Sequence, residues 1–145
     1  MSIRRRAREI ALQVLYQLEI SQGDAEEVVD LYWENFRPSP KAREFSQRLI
    51  AGVRGSQDPI DQLIEENSEN WTLKRMAAVD RNILRLATFE LLYCPDIPFK
   101  ATLNEAIELA KKFGTDDSSA FINGILDKIH SLLASAPHDR QAISN

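Results

Sequence analysis

Apolar residues return every three or four positions along this chain, and no segment alternates with period two for long enough to form a strand. The pattern is cleanest at the start. From Ile3 to Ile20 the residues Ala7, Ile10, Ala11, Val14, Leu15 and Leu18 follow the i, i+3, i+4, i+7 rule. Such spacing predicts an amphipathic helix with one face in a core. Five glycines and six prolines in 145 residues also leave too few turns for a sandwich or barrel. The expected class is all-α.

The punctuation places the remaining helices. Gly23 and Asp24 end the first helix and open a second, about Asp24 to Phe36, with Val28, Leu31, Tyr32 and Phe36 facing in. Pro38-Ser39-Pro40 breaks the chain, and a third helix, about Lys41 to Arg54, buries Phe45, Leu49, Ile50 and Val53. Asp58-Pro59 reads as an N-cap followed by proline at the first helical position, opening a short acidic helix to about Asn67. After a connection at Trp71-Thr72 the longest and most apolar helix runs from Leu73 to Tyr93, stopped by Pro95 and Pro98. A sixth spans Phe99 to Phe113 and ends at Gly114, with Lys111 and Lys112 in the turn where cations suit the dipole. Thr115-Asp116-Asp117-Ser118 opens a seventh, to about Ala134. We expect one helical domain over 1–137 and a disordered tail over 138–145.

The chain is of ordinary single-domain size, and 43% hydrophobic against 28% charged residues argues for a folded soluble protein. A lone Cys94 excludes an internal disulfide, and no metal cluster, Gly-rich phosphate loop or eighteen-residue apolar run is present. His130 and His138 lack an obvious nucleophile or metal partner, and Cys94, between a helix end and a proline, reads as a structural or incidental thiol. We therefore expect a cytoplasmic, non-enzymatic binding protein with no cofactor, no metal and no membrane contact.

Charge is distributed unevenly. Arg4, Arg5, Arg6 and Arg8 give residues 1–8 a charge of +4, whereas the remaining residues carry −8, from 14 basic against 22 acidic side chains. Positive charge at a helix N-terminus opposes the dipole and needs another reason. The plain alternative is a solvated, frayed helix start. On a wheel of about 100° per residue, Arg5, Arg6, Glu9, Gln13 and Tyr16 share the face opposite the apolar arc, and Arg4 and Arg8 flank that arc. Arginines with an aromatic ring two to three turns on suit single-stranded RNA, which offers phosphates to pair with and bases to stack. Four arginines alone give weak, salt-sensitive binding. A partner is then needed, and an acidic body suits a basic one.

Two further residues break their local pattern. Glu90 falls inside the apolar stripe of the fifth helix, so its carboxylate must be tied to a neighbouring helix start or to Lys100, or else meet a partner. Across that helix Arg81, Arg85, Thr88 and Leu92 share an arc that is either solvated surface or a partner interface. Gly124, after Asn123, sits inside the seventh helix at a cost of about 1 kcal/mol against alanine. Close packing of another helix would explain it; a ligand role for Asn123 is the alternative.

These stretches together resemble a known family. Arg4-Arg5-Arg6-Ala7-Arg8-Glu9 followed by Ala11-Leu12-Gln13-Val14-Leu15-Tyr16 is similar to the opening of the bacterial NusB transcription antitermination factors. Val79-Asp80-Arg81-Asn82-Ile83-Leu84-Arg85-Leu86-Ala87, Glu90-Leu91 and Asp96-Ile97-Pro98 resemble that family's central helix and exit. Asn104 to Gly114 and Phe121 to Lys128 resemble its last two helices. The likeness runs in order from Ile3 to about Leu133 and departs at Tyr93-Cys94-Pro95, where the family often has polar residues.

The resemblance implies about seven helices in two small perpendicular bundles within one NusB-like domain. It implies binding of single-stranded boxA-type RNA of ribosomal RNA leader transcripts, together with the small-subunit ribosomal protein NusE. It also implies entry into an RNA polymerase elongation complex with other Nus factors, and it leaves a homodimer open. The RNA-binding residues so implied are Arg4, Arg5, Arg6, Arg8, Tyr16 and Asp117. The partner-binding residues are Asp80, Arg81, Arg85 and Leu92. NusB-like domains also precede ribosomal RNA cytosine methyltransferases, but about ten residues after the last expected helix leave no room for a cofactor-binding fold. A generic helical protein-interaction module is the remaining alternative.

Overall fold

The computed structural model describes residues 2–21, 23–69 and 71–135; the expected tail lies outside the described residues, as does His138. Seven α-helices and one 3₁₀ turn make up the described chain, with no strand among the described residues. They form two compact units, residues 1–55 and residues 56–145.

The first unit holds α1 (Ile3–Ile20), α2 (Ala25–Phe36) and α3 (Pro40–Gly55). Helix α1 begins where Ser2 caps it, its side chain accepting from the Arg5 N–H at 3.0 Å. Asp24 caps α2 in the same way, through Glu26 N–H. Helix α1 packs chiefly on α3 and secondarily on α2. Ala7, Ile10, Ala11 and Val14 are fully enclosed, as are Leu49 and Val53, with Phe45 and Ile50 nearly so. The expected apolar faces of α1 and α3 are thus the observed ones. In α2, by contrast, Leu31 is 58% exposed and Trp33 takes the inner face at 7%. The larger apolar surface of the indole decides which way the short helix turns.

The second unit holds α4 (Gln57–Glu66), the 3₁₀ turn Leu73–Arg75, α5 (Ala78–Tyr93), α6 (Phe99–Phe113) and α7 (Ser118–Ser135). Helix α5 is its centre, packed on α4, α6 and α7, and every residue from Asn82 to Leu92 is buried. Glu90 is tied to the next helix: it is 2% exposed and its Oε1 accepts from the Thr102 hydroxyl at 2.9 Å in the first turn of α6. Asp58 is not a cap. The helix starts one residue earlier at Gln57, with Ile60 N–H donating to the Ser56 carbonyl, so Pro59 stands within a first turn whose N–H groups have no intrahelical acceptor anyway.

The fifth helix does not begin at Leu73. Met76 and Ala77 are extended, with ψ of 149° and 139°, and separate the 3₁₀ turn from α5. The residues there have ordinary helix propensity, so tertiary forces make the break. Leu73 and Met76 are both buried, and the Arg81 guanidinium donates to the carbonyls of Leu73 at 2.6 Å and Met76 at 2.8 Å. The Leu73 N–H is taken by Glu65 Oε1 at 3.0 Å.

Gly114 closes α6 by allowing close approach. A Cβ there would lie 2.5 Å from Ser118 Oγ and 2.8 Å from the Ala110 carbonyl. Ser118, 1% exposed, accepts from the Thr115 N–H at 2.9 Å, which makes a tight α6–α7 turn with Asp116 and Asp117 exposed on it. Gly124 differs from expectation: it is exposed, and nothing lies within 4 Å of an added Cβ. Close packing within the chain therefore does not account for it.

Candidate nucleic-acid interface

Helix α1 opens with no acid in its first turn and four arginines in five positions. Arg4 and Arg5 are exposed, Arg6 is half-buried, and Tyr16 is 36% exposed. Tyr16 stands eleven residues after Arg5, which is about 16 Å along the axis and about 20° around it. These four residues share one side of a rigid helix, as the projection anticipates.

Arg8 and Glu9 do not join that open edge. Each is 5% exposed, so the expectation of Arg8 as an accessible RNA contact is corrected. Its position flanking the apolar arc carries its long side chain into the interior. The Arg8 guanidinium lies 5.5 Å from the centre of the Phe45 ring, and Arg4 lies 5.2 Å from the same centre. Arg6 is 5.0 Å from the Phe36 ring and donates to the Phe36 carbonyl at 3.4 Å, while Tyr32 stacks on Phe36 at 5.6 Å. Arg43 of α3 covers Trp33 at 5.0 Å. The basic residues of this unit are laid against aromatic rings, which the spacing of the arginines alone did not reveal. The signal available was composition: Tyr32, Trp33, Phe36 and Phe45 all fall in two consecutive helices.

In the second unit a cleft of about 290 Å³ is lined by Trp71, Arg75, Met76, Ala77, Asp80, Asp117 and Phe121. It brings an expected RNA residue, Asp117, together with an expected partner residue, Asp80. Trp71, 49% exposed, meets Phe121 edge to face at 6.0 Å. Asp80 Oδ1 is buried without a hydrogen-bond partner among the described residues. A carboxylate oxygen so placed, beside an exposed indole, suits a flat group rich in N–H donors. Sequence reasoning saw Trp71 only as a connection; an exposed tryptophan beside a turn was the missed signal.

The other expected partner residues are internal. Arg81 secures the 3₁₀ turn, as described. Arg85, 9% exposed, forms a two-pronged ion pair with Asp61, at 2.8 and 3.0 Å, and donates to Asn82 Oδ1 at 3.3 Å. Leu92 is 2% exposed in the core. The arc of Arg81, Arg85, Thr88 and Leu92 is therefore neither solvated surface nor open interface, because α5 is enclosed on every side; this corrects the expectation for Arg85 and Leu92.

Nothing catalytic is assembled from the remaining candidates. Cys94 is fully buried, and His130 lies flat on Phe99 with ring centres 3.7 Å apart. Among the described residues no group of three or more His, Cys, Asp or Glu could hold a metal ion, and no helix is long and apolar enough to cross a membrane.

The model of the NusB family matches residues 5–131. The transcription antitermination protein NusB of Geotalea uraniireducens is 54% identical over 141 residues, covering 92% of this chain and 97% of the relative. That of Desulfatibacillum aliphaticivorans is 50% identical over 130 residues, covering 90% and 91%. Among solved structures, Thermotoga-type NusB (T. maritima) superposes with a TM-score of 0.82 at 43% identity over 88% of this chain and 90% of that one. A crystal structure of antitermination factors NusB and NusE in complex with dsRNA gives 0.83 at 26% identity, covering 91% and 98%.

Proposed function

The chain belongs to the NusB family of transcription antitermination factors, a non-enzymatic family, and from that premise we propose that it binds a boxA-like RNA element together with a NusE-type ribosomal protein. The RNA is the leader of ribosomal RNA transcripts, and the assembled pair joins RNA polymerase in a complex that resists termination. One observation carries this reading. The arginines that open α1 are held on a folded helix that shares its open side with Tyr16, and a relative of the same fold has been crystallised with NusE and RNA.

Arg4, Arg5 and Arg6 supply the phosphate contacts and Tyr16 a stacking surface. Asp117 repels phosphate, so its cleft serves a different purpose. Trp71 stacks on an unpaired base, while Asp80 and Asp117 accept from the base's amine edge. The second unit carries 14 acidic against 9 basic residues and the first 8 against 9, which gives the basic ribosomal protein an acidic unit to meet.

The test is binding of the purified protein with its ribosomal-protein partner to boxA RNA and to a scrambled RNA at physiological salt. A clear preference for boxA is expected; equal binding would overturn the proposal. If changing Arg5 and Arg6 to alanine left RNA binding unaltered, a purely protein-docking module would be the better reading.

A further inference from the structure

Cations at the start of a helix face two penalties, the positive end of the dipole and each other. Arg4 and Arg8 incur both, standing one turn apart in the first two turns of α1. Their guanidinium groups nevertheless converge on one ring, at 5.2 and 5.5 Å from the centre of Phe45. Phe45 is 9% exposed and fixed by the packing of α3 on α1; Arg8 is 5% exposed, whereas Arg4 is open to solvent.

We propose that Phe45 is a positioning residue for RNA binding, holding the Arg4 guanidinium in place at the exposed start of α1 through a stack anchored beside buried Arg8. The inference rests on the RNA reading given above. Its chemistry depends on the planarity of the guanidinium. The flat face meets the electron-rich ring, and the N–H edge stays free to meet phosphate oxygens, so one group makes both contacts at once. A long side chain already held loses less freedom when the RNA arrives, and affinity rises without any new contact to RNA. Arg6 on Phe36, at 5.0 Å, repeats the device one helix away.

The experiment measures binding of a single-stranded boxA-type oligonucleotide across a salt series. Phe45→Leu fills the space but removes the ring, and Phe45→Tyr keeps it. We expect Phe45→Leu, at a temperature where its melting curve shows it folded, to bind roughly 3- to 10-fold more weakly. Its salt dependence should be shallower by about 0.7 in log–log slope, the loss of one phosphate contact. Phe45→Tyr should restore both. Arg4→Lys provides the second route if Phe45→Leu does not fold: lysine keeps the charge but not the planar stack, so weakened binding is expected and full affinity would overturn the proposal. Unchanged binding in Phe45→Leu, or a loss that Phe45→Tyr does not restore, would also overturn it. The joint change of Arg4 and Arg5 to alanine separates this from the premise. If that variant loses RNA while Phe45→Leu does not, only the positioning role falls. If neither loses RNA, the RNA reading falls as well.

Discussion

At the residue scale, three side chains make separable predictions. Arg85 is almost fully enclosed and Asp61 about one-fifth exposed, so their two-pronged pair is asymmetric. Asp61→Ala leaves an arginine in the interior without its carboxylate, and we expect a loss of about 2–3 kcal/mol in urea denaturation, below the full cost for a wholly buried pair because Asp61 is partly wet. Arg85→Met should cost less, since Asp61 can turn to water; equal losses would show that the pair is not acting in this way. Glu69 is fully exposed, and the Lys128 ammonium 2.6 Å from its Oε1 holds its carboxyl below the ordinary glutamate range, by hydrogen bond first and charge second. A lowered folded value stabilises above the unfolded value of about 4.3 and is lost as pH falls through it. Carbon-detected titration of the Glu69 carboxyl should therefore show a low midpoint that rises toward the ordinary value in Lys128→Met and in high salt. Trp71 is the third. Trp71→Ala should weaken RNA binding by about 1–3 kcal/mol and Trp71→Phe by much less, as a stacking platform requires. A loss confined to binding of the ribosomal protein would instead assign the cleft to that partner.

At the element scale the informative residue is Gly124. It lies in mid-helix in α7, exposed, with open space where a side chain would go, so neither backbone conformation nor internal packing calls for glycine. Gly124→Ala should stabilise the protein by about 1 kcal/mol, seen as a raised melting temperature. A drop in stability would mean that the helix face is more crowded than this geometry allows. The elements also show where a linear reading succeeds. Wherever one face of a helix is apolar and its ends carry caps or prolines, the boundary and the face were legible: α1, α3 and α6, and the Asp24 cap of α2. It failed where a choice depends on neighbours distant in sequence. Trp33 displaces Leu31 because a larger surface competes for the same core. The run through Met76 and Ala77 breaks because Arg81 and Glu65 capture the backbone of the preceding turn. Arg8, Glu9, Arg85 and Leu92 are covered by partners that no helical wheel contains. The candidate site divides along the same line. The arginines and Tyr16 stand on one helix and could be projected, whereas Asp80 and Asp117, thirty-seven residues apart, share a cleft only through the fold.

At the scale of the whole molecule, charge is partitioned between the two units. The first is near neutral with its arginines concentrated at one helix end, and the second is strongly acidic. A few arginines cannot hold RNA tightly at physiological salt by counterion release alone. A basic protein bound to the acidic unit changes that balance, because it removes the repulsion between an acidic chain and a polyanion and adds cations of its own. The consequence is linkage, and linkage is reciprocal. If the ribosomal protein raises RNA affinity by some factor, RNA must raise affinity for the ribosomal protein by the same factor, of order 5- to 150-fold for a typical coupling. Calorimetric titrations around the four-sided cycle should return equal factors on both pairs of opposite sides. Their common value should shrink as salt is raised, because the coupling is electrostatic. A factor near one at low salt would mean that the two ligands bind this protein independently. In that case the acidic unit would not strengthen RNA binding through its basic partner, and the arginine edge of α1 with the aromatic cleft would have to account for the RNA affinity alone.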